Sequence, residues 1–475
     1  MPSSTLAADV RAPVRRNLQL ILALLAFAHF IIGIDYNIMF VALPDIASGV
    51  GFSAQTLQWV VSGYTVAFGG FLLFGGRAAD LFGRRRMFVF GLFLYAASSL
   101  LGGLATTPTM LVVARAGQGI GGAFLTPATL SLVTTTFAEG RERNRALAIW
   151  AGAAGTGMVL GSLLGGVLTE LFGWAAVFYV NVPLACTGML LAYLLIPADQ
   201  EQMAGRKIDL PGALTATAGS TLLVFALVQG PESGWASPTI LASVAAAVVL
   251  LGAFLTIEAR SREPLMPLRL FRNRNLSAGT VVTFMFMATF GVLAYFFSIY
   301  FQNVQGYSAL RSGLAFVVPC AGVLVGTVLG GKLATRFGVR ATLVGSLALG
   351  ALGTIGFGLA VGPDGGFAEL VPGLVVLSLA QGIVFTTMYA AATTGVAEQD
   401  QGIASGIATT GEQVGSAVGL AILVAIANIG TEGRTGEALR VATSDGLRTA
   451  VFAAAAGIAC MVLVALRFKR NPVTS

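Results

Sequence analysis

The sequence predicts an all-α integral membrane protein with fourteen membrane-spanning helices. Of its 475 residues, 56% are hydrophobic and only 10% are charged, whereas soluble domains carry about 25% charged residues. Apolar runs of about 20 residues, the length that a helix needs to cross hydrocarbon, recur along the chain between polar segments. The basic residues cluster on alternate connections between these runs, which is the pattern that sets membrane topology.

The fourteen apolar runs can be followed in order from the N-terminus. The first begins near Leu18, after Arg15 and Arg16; because it is long and contains an acid, we expect an uncleaved first helix rather than a signal peptide. An even number of crossings places both termini on one side of the membrane. The predicted spans are centred near Ile31, Phe68, Leu94, Gly121, Gly157, Ala185, Gly219, Ala247, Phe290, Ala321, Leu349, Leu379, Gly415 and Ile458.

The Lys and Arg residues are very unevenly divided between the two faces of the predicted bundle. The face that holds both termini carries 23 of the 28, and Arg115 lies within a span. The opposite face carries only Arg311, Arg434, Arg440 and Arg448. Because the more basic face is cytoplasmic, both termini are predicted to be cytoplasmic. The basic clusters therefore serve as topology signals, and no nucleic-acid partner is expected.

An internal repeat relates the two ends of the chain. Residues 75–85 resemble residues 330–340, and residues 51–54 resemble residues 306–309 at the same offset of 255. Both copies fall on the same side of the membrane, which predicts two parallel six-helix halves, an architecture of secondary transporters. The predicted divisions are a cytoplasmic N-terminus (1–17), an N-terminal half (18–196), two extra helices with linkers (197–272), a C-terminal half (273–468) and a cytoplasmic tail (469–475).

Sites for nucleotides, metals and covalent catalysis are not found in the sequence. The chain has no Gly-x-x-x-x-Gly-Lys-Ser/Thr motif, which disfavours an ATP-driven pump. Its three cysteines lie far apart without metal-binding spacing. The single histidine, His29, falls within a span, where a Ser-His-Asp arrangement would have to lie in the bilayer. We therefore expect no enzyme, no cofactor and no metal site.

Short motifs along the chain carry a family resemblance. Residues 76–86 resemble a loop motif between spans two and three, and Arg115, Gln118 and Gly119 fit a span-four motif. The full ordered set consists of residues 35–44, 76–86, 115–119, 174–183, 209–212, 268–273 and 300–308. This set resembles the major facilitator superfamily, and in particular its fourteen-span drug:proton antiporter branch.

The resemblance implies a major facilitator fold and a transport activity. The expected activity is proton-coupled export of small lipophilic, often cationic, drugs or antibiotics by alternating access, carried out by a monomer in the lipid bilayer. An excess of Arg over Lys with abundant Ala and Gly suggests a GC-rich bacterial genome, and hence a multi-pass protein of the bacterial cytoplasmic membrane.

Two segments depart from the pattern of the branch and keep other functions open. Ser162 stands where the span-five motif normally has Pro, and Asn37, Met39 and Phe40 replace the usual Thr, Val and Asn in span one. The unusual span-one residues suggest a dedicated exporter of one endogenous metabolite or self-made antibiotic as an alternative. A non-transporting membrane receptor or scaffold is the alternative from another class.

Four ionisable side chains fall well inside the predicted spans: His29, Asp35, Arg115 and Glu412. A charge at mid-membrane costs about 2.5 kcal/mol or more, so it is normally paired, hydrated or functional. Asp35 is the first candidate for a carboxylate that alternately holds a proton and a cationic substrate, and a fixed ion pair with Arg115 is the structural alternative. Glu412 is a second candidate, either a proton site, a counter-charge for cations or an acid satisfied by its neighbours. His29, which shares no helix face with Asp35, is expected to be structural.

The candidate residues fall into three groups. Proton coupling is assigned to Asp35, Arg115 and Glu412. For Arg115 this role follows from the resemblance, and the alternative is that its side chain is a purely structural hydrogen-bond donor. Substrate contacts are assigned to Asp35, Asn37, Met39, Tyr64, Gln118, Phe290 and Glu412. A conformational latch is assigned to Gly76, Asp80, Gly83, Arg84 and Arg85.

The latch is expected to work through Asp80 at the end of span two. Its carboxylate can accept hydrogen bonds from a helix N-terminus, predicted to be that of span thirteen near Gln401, while Arg84 and Arg85 hold it in place. The second copy of the motif has Thr335 in place of the acid, so the latch is expected to be lopsided. The alternative is that the arginines serve only as a topology anchor.

Overall fold

The computed structural model describes residues 6–137, 141–199, 210–261, 268–393, 396 and 401–468. This part of the chain is almost entirely helical and contains no β-strand. Each predicted span centre lies inside one of its long helices. In order, they are α1 (Leu6–Val50), α2 (Trp59–Phe82), α3 (Arg84–Gly103), α4 (Pro108–Thr136), α5 (Arg141–Phe172), α6 (Ala176–Leu195), α7 (Leu210–Ser233), α8 (Pro238–Arg260), α9 (Arg274–Val304), α10 (Ala309–Phe337), α11 (Val339–Ala360), α12 (Phe367–Thr393), α13 (Gln401–Ala427) and α14 (Gly436–Ala465).

Twelve helices of the described residues are long and apolar enough to cross a membrane. The two long helices outside this set are α2 and α4, which have 24 and 29 residues. Polar side chains in α4, including Arg115 and Gln118, lower its mean hydropathy. The structure is therefore an all-helical membrane fold.

Local sequence signals fix where several helices begin and turn. The side chain of Thr107 accepts a hydrogen bond from the Met110 N–H (3.3 Å) at the start of α4, and Ser308 caps α10 in the same way. Gly83 joins α2 to α3 with φ of 101°, and Gly338 joins α10 to α11 with φ of 84°, a conformation that favours glycine. These two glycines are equivalent positions of the internal repeat, so the repeated sequence folds into the same turn twice.

Within each half, helices approach closely through small residues. In the first half α1 packs against α5, and α4 packs against both α2 and α3. Along α5, a Cβ added to Gly161 would lie 2.9 Å from the Ile34 Cα, and one added to Gly165 would lie 2.9 Å from the Ile38 carbonyl oxygen. The glycines of α5 thus form a packing seam, and α1 is the helix that fills it.

The two halves are joined at the end of the bundle where α1 ends, which we call the Val50 end. There, the Ser298 hydroxyl donates a hydrogen bond to the Phe40 carbonyl oxygen. The Gln302 side-chain amide donates to the Val41 carbonyl oxygen (2.7 Å). These bonds connect α9 of the second half to α1 of the first.

A second connection between the halves follows the facing surfaces of α5 and α10. At the Val50 end, the Leu310 N–H donates to the Glu170 carboxylate (3.2 Å). Further along, a Cβ on Gly155 would come 2.7 Å from the Leu324 Cδ2. Nearer the opposite end, a Cβ on Gly152 or Gly331 would meet no atom within 4 Å. Among the described residues, the seam is therefore tight at the Val50 end and loose towards the other.

The two extra helices differ in their contacts. Helix α8 packs mainly against α7. Helix α7 instead packs against both α2 and α13, because its Val224 and Val228 share one apolar cluster with Val66, Ala417 and Ala421. It therefore covers the seam between the halves on the side opposite α5 and α10.

Candidate functional site

Asp35 lies near the middle of α1 and is only 1% exposed. Its Oδ2 accepts a hydrogen bond from Arg115 Nη1 of α4 at 2.8 Å, which is also a salt bridge. Its Oδ1 accepts from the Asn181 side-chain amide of α6 at 2.8 Å and, more weakly, from Gln118 Nε2 at 3.4 Å. Both carboxylate oxygens are therefore satisfied, and three helices meet at this one side chain.

Arg115 ties three helices together and is 3% exposed. Besides the salt bridge, its Nη1 donates to Gln118 Oε1 (2.8 Å) and its Nε donates to the Val60 carbonyl oxygen of α2 (2.8 Å). Its guanidinium carbon lies 4.7 Å from the centroid of the Tyr64 ring, within the range of a cation–π contact. The predicted residues Asp35, Arg115, Gln118 and Tyr64 are thus brought into one cluster.

The cluster continues into α3 through Gln118. Its Nε2 donates to the Ser99 hydroxyl (2.8 Å), and Ser99 in turn donates to the Tyr95 carbonyl oxygen (2.7 Å). Buried polar networks of this kind are stable only when each member has a partner. A change in the charge of Asp35 would therefore be felt in α1, α3, α4 and α6 together.

Glu412 of α13 is the acid of the second half and is 8% exposed. The Tyr389 hydroxyl of α12 donates a hydrogen bond to its Oε2, and the same hydroxyl lies 3.2 Å from the Thr409 Oγ1. Tyr36 of α1 lies close enough to interact electrostatically with the Glu412 carboxylate. Glu412 therefore lies where the second half faces α1 of the first half. Its hydrogen-bond donor, Tyr389, is different from the donors that bind Asp35.

Asn37 connects the two halves directly. Its side-chain amide donates to the Met158 carbonyl oxygen of α5 (2.9 Å) and to the Cys320 Sγ of α10 (3.1 Å). Ser162, the residue that replaces the usual Pro, contributes a side-chain hydrogen bond to the same thiol. In this conformation Asn37 therefore holds helices together, and its assignment to substrate binding stays a prediction.

Met39 and Phe290 lie in the apolar core, each 1% exposed. The Phe290 ring packs against the Phe286 ring with centroids 5.5 Å apart. Neither residue belongs to the polar clusters around Asp35 and Glu412, and their contact with substrate likewise stays a prediction. His29 stacks on Trp150 with ring centroids 3.8 Å apart, as expected for a residue with a structural role.

The predicted latch is partly described. The side chains of Asp80 and Gln401 lie outside the described residues, so their pairing stays a prediction. Of the other predicted latch residues, Gly76 lies within α2 and Arg84 begins α3. Gly83 forms the turn between these helices, and the next residues bind Asp199, whose two carboxylate oxygens accept hydrogen bonds from the N–H groups of Arg85 and Arg86 (3.0 Å each). The Arg85 guanidinium donates to the Tyr193 carbonyl oxygen (2.9 Å). The loop motif is thereby fastened to the end of α6.

Several residues of the site were not among the sequence candidates. Asn181 is a polar side chain in an otherwise apolar run, which could have marked it, but its bond to Asp35 joins positions 146 apart. Tyr389 and Ser99 carry no charge and stand among other hydroxyl residues, so the sequence offers no signal for them. Asp199 lies in the linker after α6, a segment in which the sequence marks no candidate site residue.

Comparisons with known proteins agree with this architecture. The sequence model of the Major Facilitator Superfamily matches residues 25–420. The chain is 39% identical over 455 residues to the cephamycin export protein CmcT of Amycolatopsis lactamdurans, covering 95% of this chain and 93% of that protein. It is 36% identical over 427 residues to a lincomycin resistance protein of Streptomyces lincolnensis, covering 89% and 87%. It is 33% identical to the multidrug resistance protein Stp of Mycobacterium tuberculosis, covering 83% and 73%.

Solved structures show the same fold at low sequence identity. The crystal structure of the nucleoside transporter NupG superposes with a TM-score of 0.67 at 13% identity, covering 95% of this chain and all of that one. A bacterial homologue of the lysosomal transporter Spinster, solved in an inward-facing conformation, gives 0.65 at 18% identity, covering 95% and 98%. The helical fold, the family match and the relatives that span most of the chain lead to one conclusion: this protein belongs to the Major Facilitator Superfamily and is a membrane transporter.

Proposed function

We propose that this protein exports small lipophilic, often cationic, antibiotics or drugs across the bacterial cytoplasmic membrane in exchange for protons, acting as a monomer. Its relatives include proteins named for cephamycin export, lincomycin resistance and multidrug resistance, which supports drug export. The observation that carries proton coupling is the Asp35 carboxylate, a buried acid joined to Arg115, Gln118 and Asn181 on two other helices.

The proposed topology has fourteen spans with both termini in the cytoplasm. Helix α2 has 24 residues and is therefore about 36 Å long, enough to cross a hydrocarbon core of about 30 Å. If α2 or α4 did not cross, the basic loops that follow them would fall on the less basic face. The Val50 end is then extracellular, and the tight seam there corresponds to a state closed to the outside. The predicted division into residues 18–196, 197–272 and 273–468 belongs to this proposal.

Protonation of Asp35 would act through the salt bridge. Removing one charge of a buried pair such as Asp35 and Arg115 leaves the other uncompensated at a cost of several kcal/mol. A protonated Asp35 therefore loosens the connection of α1 to α4 and α6, and deprotonation restores it. Binding of a proton would in this way change which arrangement of the first half is favoured, and with it the side to which the substrate site opens.

The test uses acidified inside-out vesicles that contain the full-length protein. Addition of an exported drug should release protons and alkalinise the lumen, and Asp35→Asn should lose at least about nine-tenths of this signal, because an amide cannot carry the exchanged proton. Asp45→Asn is the matched control, since it makes the same change on the same helix at the partly exposed Val50 end. If Asp35→Asn exports drugs against a gradient as fast as the wild type, the proposed coupling is wrong.

A second candidate function is export of a single antibiotic. It is favoured by 39% identity over 95% of this chain to a protein named for cephamycin export, together with Asn37, Met39 and Phe40 in span one. Resistance conferred on a sensitive host should be measured across β-lactam, lincosamide, aminonucleoside and cationic dye classes. Protection against one class alone would favour the dedicated exporter, and protection against several would favour the broad one.

A further inference from the structure

We propose that Glu412, rather than Asp35, is the carboxylate that binds the positive charge of a cationic substrate, while Asp35 carries the exchanged proton. This inference rests on the proposed export function and divides its two tasks between the two halves of the molecule. It follows from the different surroundings of the two acids. In the sequence alone, both are simply acids within predicted spans.

Asp35 has no room for a second cation. Its two oxygens already accept strong hydrogen bonds from Arg115 and Asn181, both at 2.8 Å, and the residue is 1% exposed. A substrate ammonium placed within 4 Å of Asp35 would also approach the guanidinium, where like charges repel strongly in a medium of low dielectric. The carboxylate could receive such a ligand only after Arg115 had left it.

Glu412 has the opposite surroundings. One neutral donor, the Tyr389 hydroxyl, reaches its Oε2, and in the described part of the chain no Lys or Arg forms an ion pair with it. An ionised carboxylate that is 8% exposed and lacks a counter-charge is costly. A bound cation would supply the missing charge.

Aromatic rings extend from Glu412 and indicate the chemical class of the ligand. The Tyr389 and Phe385 ring centroids are 5.7 Å apart, and the Phe385 and Phe286 centroids are 6.0 Å apart. Phe385 is 40% exposed, so its ring is not fully covered by other parts of the protein. Tyr36 lies near the carboxylate from the other half. Aromatic faces beside an acid favour organic cations that spread their charge over alkyl or aryl groups, such as quaternary ammonium or phosphonium ions.

The internal repeat shows that the two acids are not copies of each other. At the offset of 255 residues, Asp35 corresponds to Phe290 and Glu412 corresponds to Gly157. Each half therefore contributes one acid at a position where the other half has an apolar residue or glycine. Two unrelated positions with different partners favour two different tasks over a duplicated one.

The test is equilibrium binding of radiolabelled tetraphenylphosphonium to the purified full-length protein. Glu412→Gln should weaken binding by roughly 30-fold or more, the usual effect of removing one partner of a desolvated charge pair. Asp35→Asn should weaken binding far less than Glu412→Gln, because Asp35 makes no contact with the cation and acts on binding only through the arrangement of the first half. Glu369→Gln is the matched control, since it makes the same change at an exposed position of α12.

A second variant separates loss of the charge from loss of the fold. Glu412→Asp keeps the carboxylate and should retain binding within about fivefold, since a longer charge separation weakens but does not abolish the attraction. Both Glu412 variants should unfold at the wild-type temperature. The inference is overturned if the wild type does not bind the cation, if Glu412→Gln binds it as the wild type does, or if Asp35→Asn loses binding equally.

Transport of a neutral antibiotic distinguishes this inference from the proposed function. With chloramphenicol as the neutral probe, Glu412→Gln should keep export near the wild-type rate while losing export of tetraphenylphosphonium. If the wild type exports neither compound nor any other drug tested, the export function itself fails. If it exports both and Glu412→Gln loses both equally, Glu412 acts in coupling, and the assignment to substrate charge is wrong.

Discussion

The burial of Asp35 shows how a charge is tolerated in the interior of this helical bundle. A carboxylate that is 1% exposed is stable only if hydrogen bonds and an opposite charge replace its hydration. Arg115 supplies the charge, and Asn181 and Gln118 supply two further donors. The same donors that make burial possible also connect the protonation state of this acid to the positions of α4 and α6.

Replacing Asn181 by Ala tests the value of one of these donors. A hydrogen bond to a charged group contributes about 1.5–3 kcal/mol, so we expect proton-coupled export to fall by roughly 10-fold or more while the protein still inserts and folds. Drug-dependent alkalinisation of inside-out vesicles measures the effect. Thr187→Ala changes an exposed residue of the same helix, whose hydroxyl bonds only to the Pro183 carbonyl oxygen, and should be neutral. Equal rates for Asn181→Ala and the wild type would contradict this role.

At the residue scale, the sequence predicted the charged members of the site but not their neutral partners. Asp35 and Arg115 were identified because a charge in an apolar run is conspicuous, and the structure brings them together at 2.8 Å. Asn181 and Tyr389 were missed because a neutral polar residue is a much weaker signal than a charge, even where it stands in an apolar run as Asn181 does. Which face of α6 or α12 turns towards an acid depends on helix packing, and local spacing does not encode it.

At the scale of single helices, α5 is defined by the small residues that face its neighbours. Gly161 and Gly165 let the backbone of α1 approach, and further contacts with α10 occupy another face. A helix with this many close neighbours has no room for a larger side chain on either face. The spacing of four residues between Gly161 and Gly165 places both on one face of the helix.

Two glycine substitutions on α5 test the seam with a matched pair. In Gly161→Val, the new Cβ would overlap the Ile34 backbone, whereas in Gly152→Val it would meet no atom within 4 Å. Overpacking costs about 1–3 kcal/mol, so we expect a lower unfolding temperature and reduced transport for Gly161→Val only. Thermal unfolding of both purified variants in detergent measures this. A similar loss in both would mean that helix flexibility, rather than packing, determines the effect.

The contacts of α7 were not visible at the level of sequence. Its apolar residues predict a membrane span, but an apolar face has the same pattern whether lipid or another helix covers it. The structure places α7 against α2 and α13, so the insertion is part of the boundary between the halves. Predicting fourteen apolar runs was straightforward, and predicting which run touches which was not, because that information lies in long-range packing.

At the scale of the whole molecule, the two halves are held in this conformation by polar contacts at one end and along one seam. Asn37 of α1, Ser162 of α5 and Cys320 of α10 meet where the halves touch. Alternating access requires these contacts to break in each cycle, since α10 must separate from α5 for the Val50 end to open. The native thiol at this position makes the requirement testable with a single substitution.

In Ser162→Cys, the new thiol should form a disulfide with Cys320 under oxidising conditions, because the two side chains already share a hydrogen bond. Cys186 and Cys460, both exposed, would first be replaced by Ala. Oxidation should stop export and reduction should restore it, with maleimide labelling of the denatured protein reporting the cross-link. Ser162→Ala in the same background should be insensitive to oxidant. Continued export by the fully cross-linked protein would show that this seam need not open.

The position of α7 has a consequence for the surrounding lipid. It packs against both α2 and α13, whereas among the described residues neither of the two extra helices packs against α5 or α10. Acyl chains can therefore reach one seam and are excluded from the other. Lipid is therefore in contact with the α5–α10 seam but not with the α2–α13 seam. Lipid composition should accordingly affect the transport cycle through the α5–α10 seam only.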